Sequence, residues 1–224
     1  MIDVKKNALT VLFVIVLAGL AYTTGNLLAI YLTPAPVKPQ VDNRYGSIVR
    51  LVRNDHTFCS GTVVNQNLII TAAHCVLQET PFGLMLASST VEIRPGDNEN
   101  VGTIARVNYA SPQMDQAVLV GDFRIYKTRK FISDPETLTF IKNHKTHFTS
   151  CGFPLNGDLY CSETTMSGPE DFFWAVNGVL IPGMSGGPTF LPDGTMVGVN
   201  VAVSKDKSII SPIYNITKNI VRSK

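Results

Sequence analysis

The sequence is poor in charge. Only 16% of its 224 residues are Asp, Glu, Lys or Arg, and the formal net charge is +2. It lacks the broad basic field that draws nucleic acid, and it has no run of like charge that would mark a solvated interaction tail. Cysteine is scarce too. There are four, and no C-x-x-C or Cys/His spacing of a zinc site joins them. No internal repeat is present, which sets aside solenoid and propeller arrays. Low-complexity sequence is confined to one short proline-rich stretch.

Charge is absent altogether from residues 8–32, "ALTVLFVIVLAGLAYTTGNLLAIYL". As a helix rising about 1.5 Å per residue, this run is long enough to cross a hydrocarbon layer of roughly 30 Å. Lys5 and Lys6 precede it and favour a cytoplasmic N-terminus, with everything after residue 32 outside. A signal peptide using Ala8–Leu20 and cut after Gly19–Ala21 is the other reading, and both imply export. "TPAPVKPQ", 33–40, is then a stiff extended spacer. The expected division is 1–32 as a signal-anchor or transmembrane segment, 33–44 as a Pro-rich linker, and 45–224 as the exported domain. Localisation follows: periplasmic or extracellular, held through residues 8–32, or secreted if that segment is cleaved. Cys59, Cys75, Cys151 and Cys161 all lie in the exported part, where an even count points to disulfides with three possible connectivities.

From residue 45 on, short apolar runs alternate with turn signals. Expected strands are Ser47–Val52, Phe58–Val64, Leu68–Ala72, Leu84–Pro95, Thr103–Ala110, Ala117–Phe123, Thr146–Gly152, Asp158–Ser167, Phe172–Val176 and Gly194–Val203. In the last, Val197, Val199, Val201 and Val203 share one face. Only Pro135–Lys145 and the stretch after Pro212 read as helical. The fold class is all-β, a sandwich or barrels.

Two stretches carry chemistry. "GMSGG", Gly183–Gly187, surrounds a serine with small residues and offers backbone N–H groups at Ser185 and two positions earlier to a developing oxyanion. The same pattern fits the nucleophile elbow of α/β-hydrolases, whose histidine follows the serine. None of the four histidines here follows Ser185, and the strand pattern is not βαβ. "TAAHC", 71–75, supplies a histidine ahead of the serine. A serine hydroxyl needs an imidazole to take its proton, and the imidazole needs an orienting carboxylate. Cys75 pins the backbone at His74 if it bridges to Cys59 on the preceding strand, a closure worth roughly 3 kcal/mol. Asp97, Asp115, Asp122, Asp134, Asp158, Asp171 and the glutamates compete for the carboxylate role. Asp115 in "MDQAVLV" stands at the start of an apolar strand and is the best placed.

"FCSGTVVNQNLIITAAHCV", "MDQAVL" and "GMSGGP" together resemble the trypsin/chymotrypsin superfamily of serine endopeptidases, and residues 185–203 look most like its bacterial high-temperature-requirement branch. "CGFPLNG", 151–157, is similar to the turn before the specificity loops of such enzymes. The resemblance covers roughly residues 45–210. It implies two packed six-stranded antiparallel barrels with His74 as general base and acid, Asp115 as its orienter and Ser185 as nucleophile. The N–H groups of Gly183 and Ser185 would form the oxyanion hole. Val179, Val201, Ala202 and Val203 would line the substrate pocket and favour small or medium aliphatic side chains before the scissile bond. Cys151–Cys161 would staple a hairpin nearby.

Two departures from the family matter. The first strand, "YGSIVRL", lacks the Ile-Val-Gly-Gly of secreted zymogens, and Met184 stands where they have an aspartate. A buried ammonium facing that thioether would be unpaired at a cost of several kcal/mol. Activation by a newly cut N-terminus is therefore not expected, and neither is a peptide-binding domain after the protease domain. The expected partner is a protein or peptide substrate, with no nucleic acid, no cofactor and no metal. A catalytically silent protease-like binding module and an exported esterase are the alternatives.

Overall fold

The computed structural model describes residues 45–216 apart from 97–100, 133, 145, 156, 205–206 and 214–215. The apolar run 8–32 and the spacer 33–40 lie outside the described residues, as does nearly all of the stretch after Pro212 expected to be helical. Among the described residues no helix is long and apolar enough to cross a membrane.

Among the described residues, fourteen strands, one α-helix and one 3₁₀ turn follow one another. β1 (Ile48–Arg53), β2 (His56–Asn65), β3 (Leu68–Thr71), β6 (Thr90–Pro95), β7 (Thr103–Ser111) and β8 (Gln116–Val120) close into an antiparallel barrel ordered β1-β2-β3-β8-β7-β6. β9 (His147–Gly152), β10 (Tyr160–Glu170), β11 (Phe173–Asn177), β12 (Pro188–Phe190), β13 (Met196–Ser204) and β14 (Lys207–Pro212) close a second, ordered β10-β11-β14-β13-β12-β9. The expected pair of six-stranded barrels is what the chain forms. β4 (Leu77–Thr80) and β5 (Gly83–Leu86) make a separate hairpin.

Closure leaves the two barrels no strand edge for another chain to pair with. It also demands close approaches. At Gly61 in β2, a Cβ would lie 2.9 Å from Ile69 and 3.0 Å from Leu51. One large apolar cluster runs from Ile48, Leu51, Ile69, Ile93 and Leu119 in the first barrel to Phe190, Met196 and Val199 in the second. A smaller cluster, with Phe148, Trp174, Val176 and Ile210, receives Leu138 and Ile141 from α1 (Pro135–Lys142). Asp134 caps α1 by accepting the N–H groups of Glu136 and Thr137, and Pro135 occupies the first turn.

Three expectations need correction. Leu84–Pro95 is not one strand but β5 and β6: the pairing of β5 with β4 ends at Ala87, whose N–H donates to the Val76 carbonyl, and the chain bends at 87 and 89 before β6 begins. β4, β12 and β14 were not expected at all. In β13 the valine alternation is broken by a bulge between Asn200 and Ala202, which leaves Val201 out of register with β14. Bulges of this kind re-aim a side chain, and Val201 lines the cleft.

Candidate active site

His74 sits in a single 3₁₀ turn, Ala73–Cys75, directly after β3. Its neighbours Ala73 and Cys75 are buried, and Cys75 is bonded to Cys59 on β2, 16 positions back. The imidazole is thereby fixed at its backbone while its side chain stays 46% exposed. The described cluster with metal-ligand spacing is Cys59, His74 and Cys75. Its two sulfurs are bonded to each other and are therefore not thiolate donors.

Asp115 faces His74 twice. Its Oδ2 lies 2.7 Å from His74 Nδ1, and its Oδ1 accepts the His74 backbone N–H at 2.8 Å. The carboxylate therefore sets both the position and the rotation of the ring, and it directs the Nδ1 proton to itself. Asp115 reaches this position with a positive φ of 45°, a conformation that Asp tolerates better than most residues. Both neighbours of Asp115 are held by the second barrel. The Ser211 hydroxyl donates to the Met114 carbonyl at 2.6 Å, and Gln116 Nε2 donates to Ser211 Oγ at 2.6 Å and to the Pro212 carbonyl at 2.7 Å. The other candidate carboxylates have different work. Asp122 pairs with Arg124, which holds its carboxyl down to about 2; Asp134 caps α1, and Asp171 turns the β10–β11 hairpin. Asp97 lies outside the described residues.

Residues 182–187 form the turn that carries Ser185. In a planar trans peptide the carbonyl and the following N–H point in opposite directions, so fixing one aims the other. The Pro182 carbonyl accepts Leu155 N–H at 3.0 Å, which turns Gly183 N–H the opposite way. The Gly183 carbonyl accepts the Ser60 hydroxyl at 2.9 Å. The Met184 carbonyl accepts Gly187 N–H at 3.0 Å and Asn200 Nδ2 at 3.4 Å, which fixes Ser185 N–H. Ser185's own carbonyl accepts Ser60 N–H at 2.7 Å. Every peptide plane from 182 to 185 is thus pinned through its oxygen. Gly183 is required here: φ is +98°, and a Cβ would meet Leu155 N and Phe153 O at 2.6 Å. Met184, fully buried, accepts Ile181 N–H on its sulfur at 3.3 Å.

The Ser185 hydroxyl donates to the Val201 carbonyl at 3.2 Å, and among the described residues no hydrogen bond joins it to His74. Val201 links the parts. Its carbonyl holds the serine, and the residue lines a groove of about 360 Å³ with His74, Asp115, Leu77, Leu84 and Phe173. Of the expected pocket residues, only Val201 is placed in this groove. Val179 is 59% exposed, with its N–H donated to Ser162 Oγ, and the side chains of Ala202 and Val203 lie outside the described residues. The second disulfide joins Cys151 to Cys161, directly opposite one another on β9 and β10.

Sequence reasoning missed Ser60, Leu155 and Asn200. Their contribution is a bond to a distant backbone group, which no local spacing announces. The β4–β5 hairpin was missed as well. It overhangs His74 with Leu84 half-exposed and Phe82 at its tip 93% exposed.

An imidazole–carboxylate pair on one barrel, set against a pinned serine turn on another, defines the class of double-barrel serine peptidases. The chain belongs to the trypsin-like peptidase family, whose domain model matches residues 59–199. Human kallikrein-4 is 28% identical over 91 residues, 41% of this chain and 35% of that protein. Snake venom serine proteinase 8 of Crotalus adamanteus is 29% identical over 94 residues, 42% of this chain and 35% of that one. The chain thus matches about a third of the length of these curated relatives. Among solved structures, the serine endoprotease from Yersinia pestis superposes with a TM-score of 0.63 at 15% identity, covering 80% of this chain and 65% of the other. The active form of the Rv3671c protease from M. tuberculosis gives 0.62 at 17%, covering 83% and 84%. At these identities the likeness is one of fold.

Proposed function

We propose that this chain is an exported serine endopeptidase that hydrolyses peptide bonds through an acyl-enzyme. The observation that carries the reading is the doubly bonded His74–Asp115 pair beside a serine turn whose peptide planes are all fixed. Ser185 Oγ rotates from the Val201 carbonyl toward His74 Nε2, gives up its proton there, and forms a bond to the substrate carbonyl carbon. The carbonyl electrons move to oxygen, where the Gly183 and Ser185 N–H groups receive the charge. Collapse breaks the C–N bond, and the proton on Nε2 leaves with the amine. Water then repeats the cycle and frees Ser185. Asp115 keeps the imidazole aligned throughout.

The groove beside His74, walled by Leu77, Leu84, Phe173 and Val201, suits an apolar side chain of the substrate. The expected preference for a small or medium aliphatic residue before the scissile bond rests, among the described residues, on Val201. Pairing of all four cysteines, with none free, supports an oxidising compartment, and the charge-free run 8–32 after Lys5 and Lys6 supports a membrane tether.

The test is a fluorophosphonate probe applied to the full chain purified in detergent, beside its Ser185→Ala variant. Labelling that disappears in the variant, with hydrolysis of aliphatic peptide amides falling by about 10⁵-fold or more, supports the endopeptidase. A folded wild type that takes no label sinks it in favour of a binding module. Turnover of esters alone points to an esterase. Proteolysis of intact cells from outside, which must reach the domain but not the N-terminus, tests the tethered topology.

A further inference from the structure

We infer that Ser60, on the opposite barrel from the nucleophile, is a positioning residue of the oxyanion site. This rests on the proposed function and deepens it. Ser60 is fully buried on β2, and all of its polar atoms are committed. Its Oγ accepts Phe153 N–H at 2.8 Å and donates to the Gly183 carbonyl at 2.9 Å. Its N–H donates to the Ser185 carbonyl at 2.7 Å, and its own carbonyl accepts the Thr71 hydroxyl at 2.7 Å.

The hydroxyl therefore joins three segments that sequence keeps far apart: β2, the loop at 153–155 and the turn at 182–185. Gly183 has no Cβ and lies at positive φ, so its own sterics resist rotation weakly. Two bonds supply the resistance instead. On one side Leu155 N–H holds the Pro182 carbonyl; on the other Ser60 Oγ holds the Gly183 carbonyl. Both depend on Ser60, because the loop that offers Leu155 is itself tied to Ser60 through Phe153 N–H. Arg50 secures the far end of that loop, with a guanidinium nitrogen 2.8 Å from the Gly157 carbonyl and its carbon 4.2 Å above the Phe153 ring. Removing one hydroxyl loosens both flanks of the oxyanion donor at Gly183, while His74, Asp115 and Ser185 are untouched.

The experiment uses the full chain. Ser60→Ala is compared with Ser150→Ala, which deletes another fully buried hydroxyl, bonded to Thr189 Oγ1 at 2.8 Å in the second barrel. The isosteric pair Ser60→Thr and Ser60→Val overpack the site alike and differ in the hydroxyl. Readouts are kcat and KM on a peptide amide, melting temperature, and inhibition by a peptide aldehyde, whose adduct places an oxyanion at the site. The expected result for Ser60→Ala is a kcat lower by about 10- to 100-fold with KM nearly unchanged and the aldehyde weakened in parallel. Ser150→Ala loses a similar amount of thermal stability and keeps kcat within about twofold, and Ser60→Thr exceeds Ser60→Val in kcat by about tenfold. Equal kcat in Ser60→Ala and Ser150→Ala, or in the Thr and Val variants, overturns the inference and leaves the endopeptidase reading standing. Absence of turnover in the wild type overturns both.

Discussion

The two barrels bring different kinds of chemistry to the cleft. The first contributes side chains: an imidazole on a 3₁₀ turn and a carboxylate 41 positions later, with both Asp115 oxygens aimed at His74. The second contributes mostly backbone, a six-residue turn in which successive carbonyls are captured, which fixes the N–H groups of Gly183 and Ser185. A side chain chosen for its chemistry has few substitutes. A peptide N–H is present at every non-proline residue, so what matters is the set of partners that aim it. Those partners are spread over β2, the 153–155 loop and β13. Each barrel also braces the other's half: Ser211 and Pro212 hold the Asp115 segment, and Ser60 holds the serine turn.

Substitutions in the two halves should sharpen that contrast. The largest loss after that of Ser185 itself is expected for Asp115→Asn, about 10⁴-fold in kcat at neutral pH, because the amide no longer fixes the imidazole with its proton on Nδ1. Steady-state rates on one peptide amide measure it, and a loss under tenfold would remove Asp115 from the machinery. Gly183→Ala comes next. The methyl has nowhere to go beside Leu155 N and Phe153 O, and on the proposed function the N–H it displaces is an oxyanion donor. A fall of about 10²- to 10³-fold in kcat is expected, with aldehyde inhibition lost in step. If binding of a product peptide falls by the same factor, the turn has collapsed rather than shifted.

Opening the Cys59–Cys75 bridge with a double Cys→Ala change tests the first barrel's hold on His74. Denaturant titration should register a stability loss of about 3 kcal/mol, most of it independent of Ser185. An unchanged midpoint would place the anchoring of the 3₁₀ turn in packing alone. The smallest effect is expected at Asp134, remote from both halves. The Thr137 hydroxyl and the N–H groups of Thr137 and Glu136 hold its carboxyl below the usual range. Its contribution to α1 is therefore complete above the unfolded value and fades as pH falls through the lowered folded one. Amide protection at Thr137 should drop on acidification below about pH 4, and the drop should be absent in Asp134→Asn.

His74, Asp115 and Ser185 were legible because each is a rare residue type in a local frame: a histidine beside a cysteine, an acid before an apolar run, a serine among glycines. The barrels were legible in part, since most strands alternate or run apolar between turns. β12 is three residues long, begins at Pro188 and is followed by "LPDG", too short for any period to register. β4 and β5 pair only with each other, and Leu84, Met85 and Leu86 remain exposed there, so their apolar run looks like core without being it. The bulge at Val201 is invisible for a related reason. A register slip belongs to two strands at once, and the valines at 197, 199, 201 and 203 alternate without interruption in sequence. Ser60 has the same character. Its bond to Gly183 spans 123 positions, and nothing in "FCSGT" distinguishes a serine that holds a distant turn from one that merely fills space.

Met184 immediately precedes the nucleophile and is fully buried. The turn is packed on a neutral sulfur that receives a single N–H, with the side chain shut off from water. A support of that kind holds no charge that must be matched by a partner arriving later. On the proposed function, this support is in place once the chain has folded and needs no newly cut ammonium to complete it. The footing of the nucleophile is thus set by packing, which assembles together with the fold.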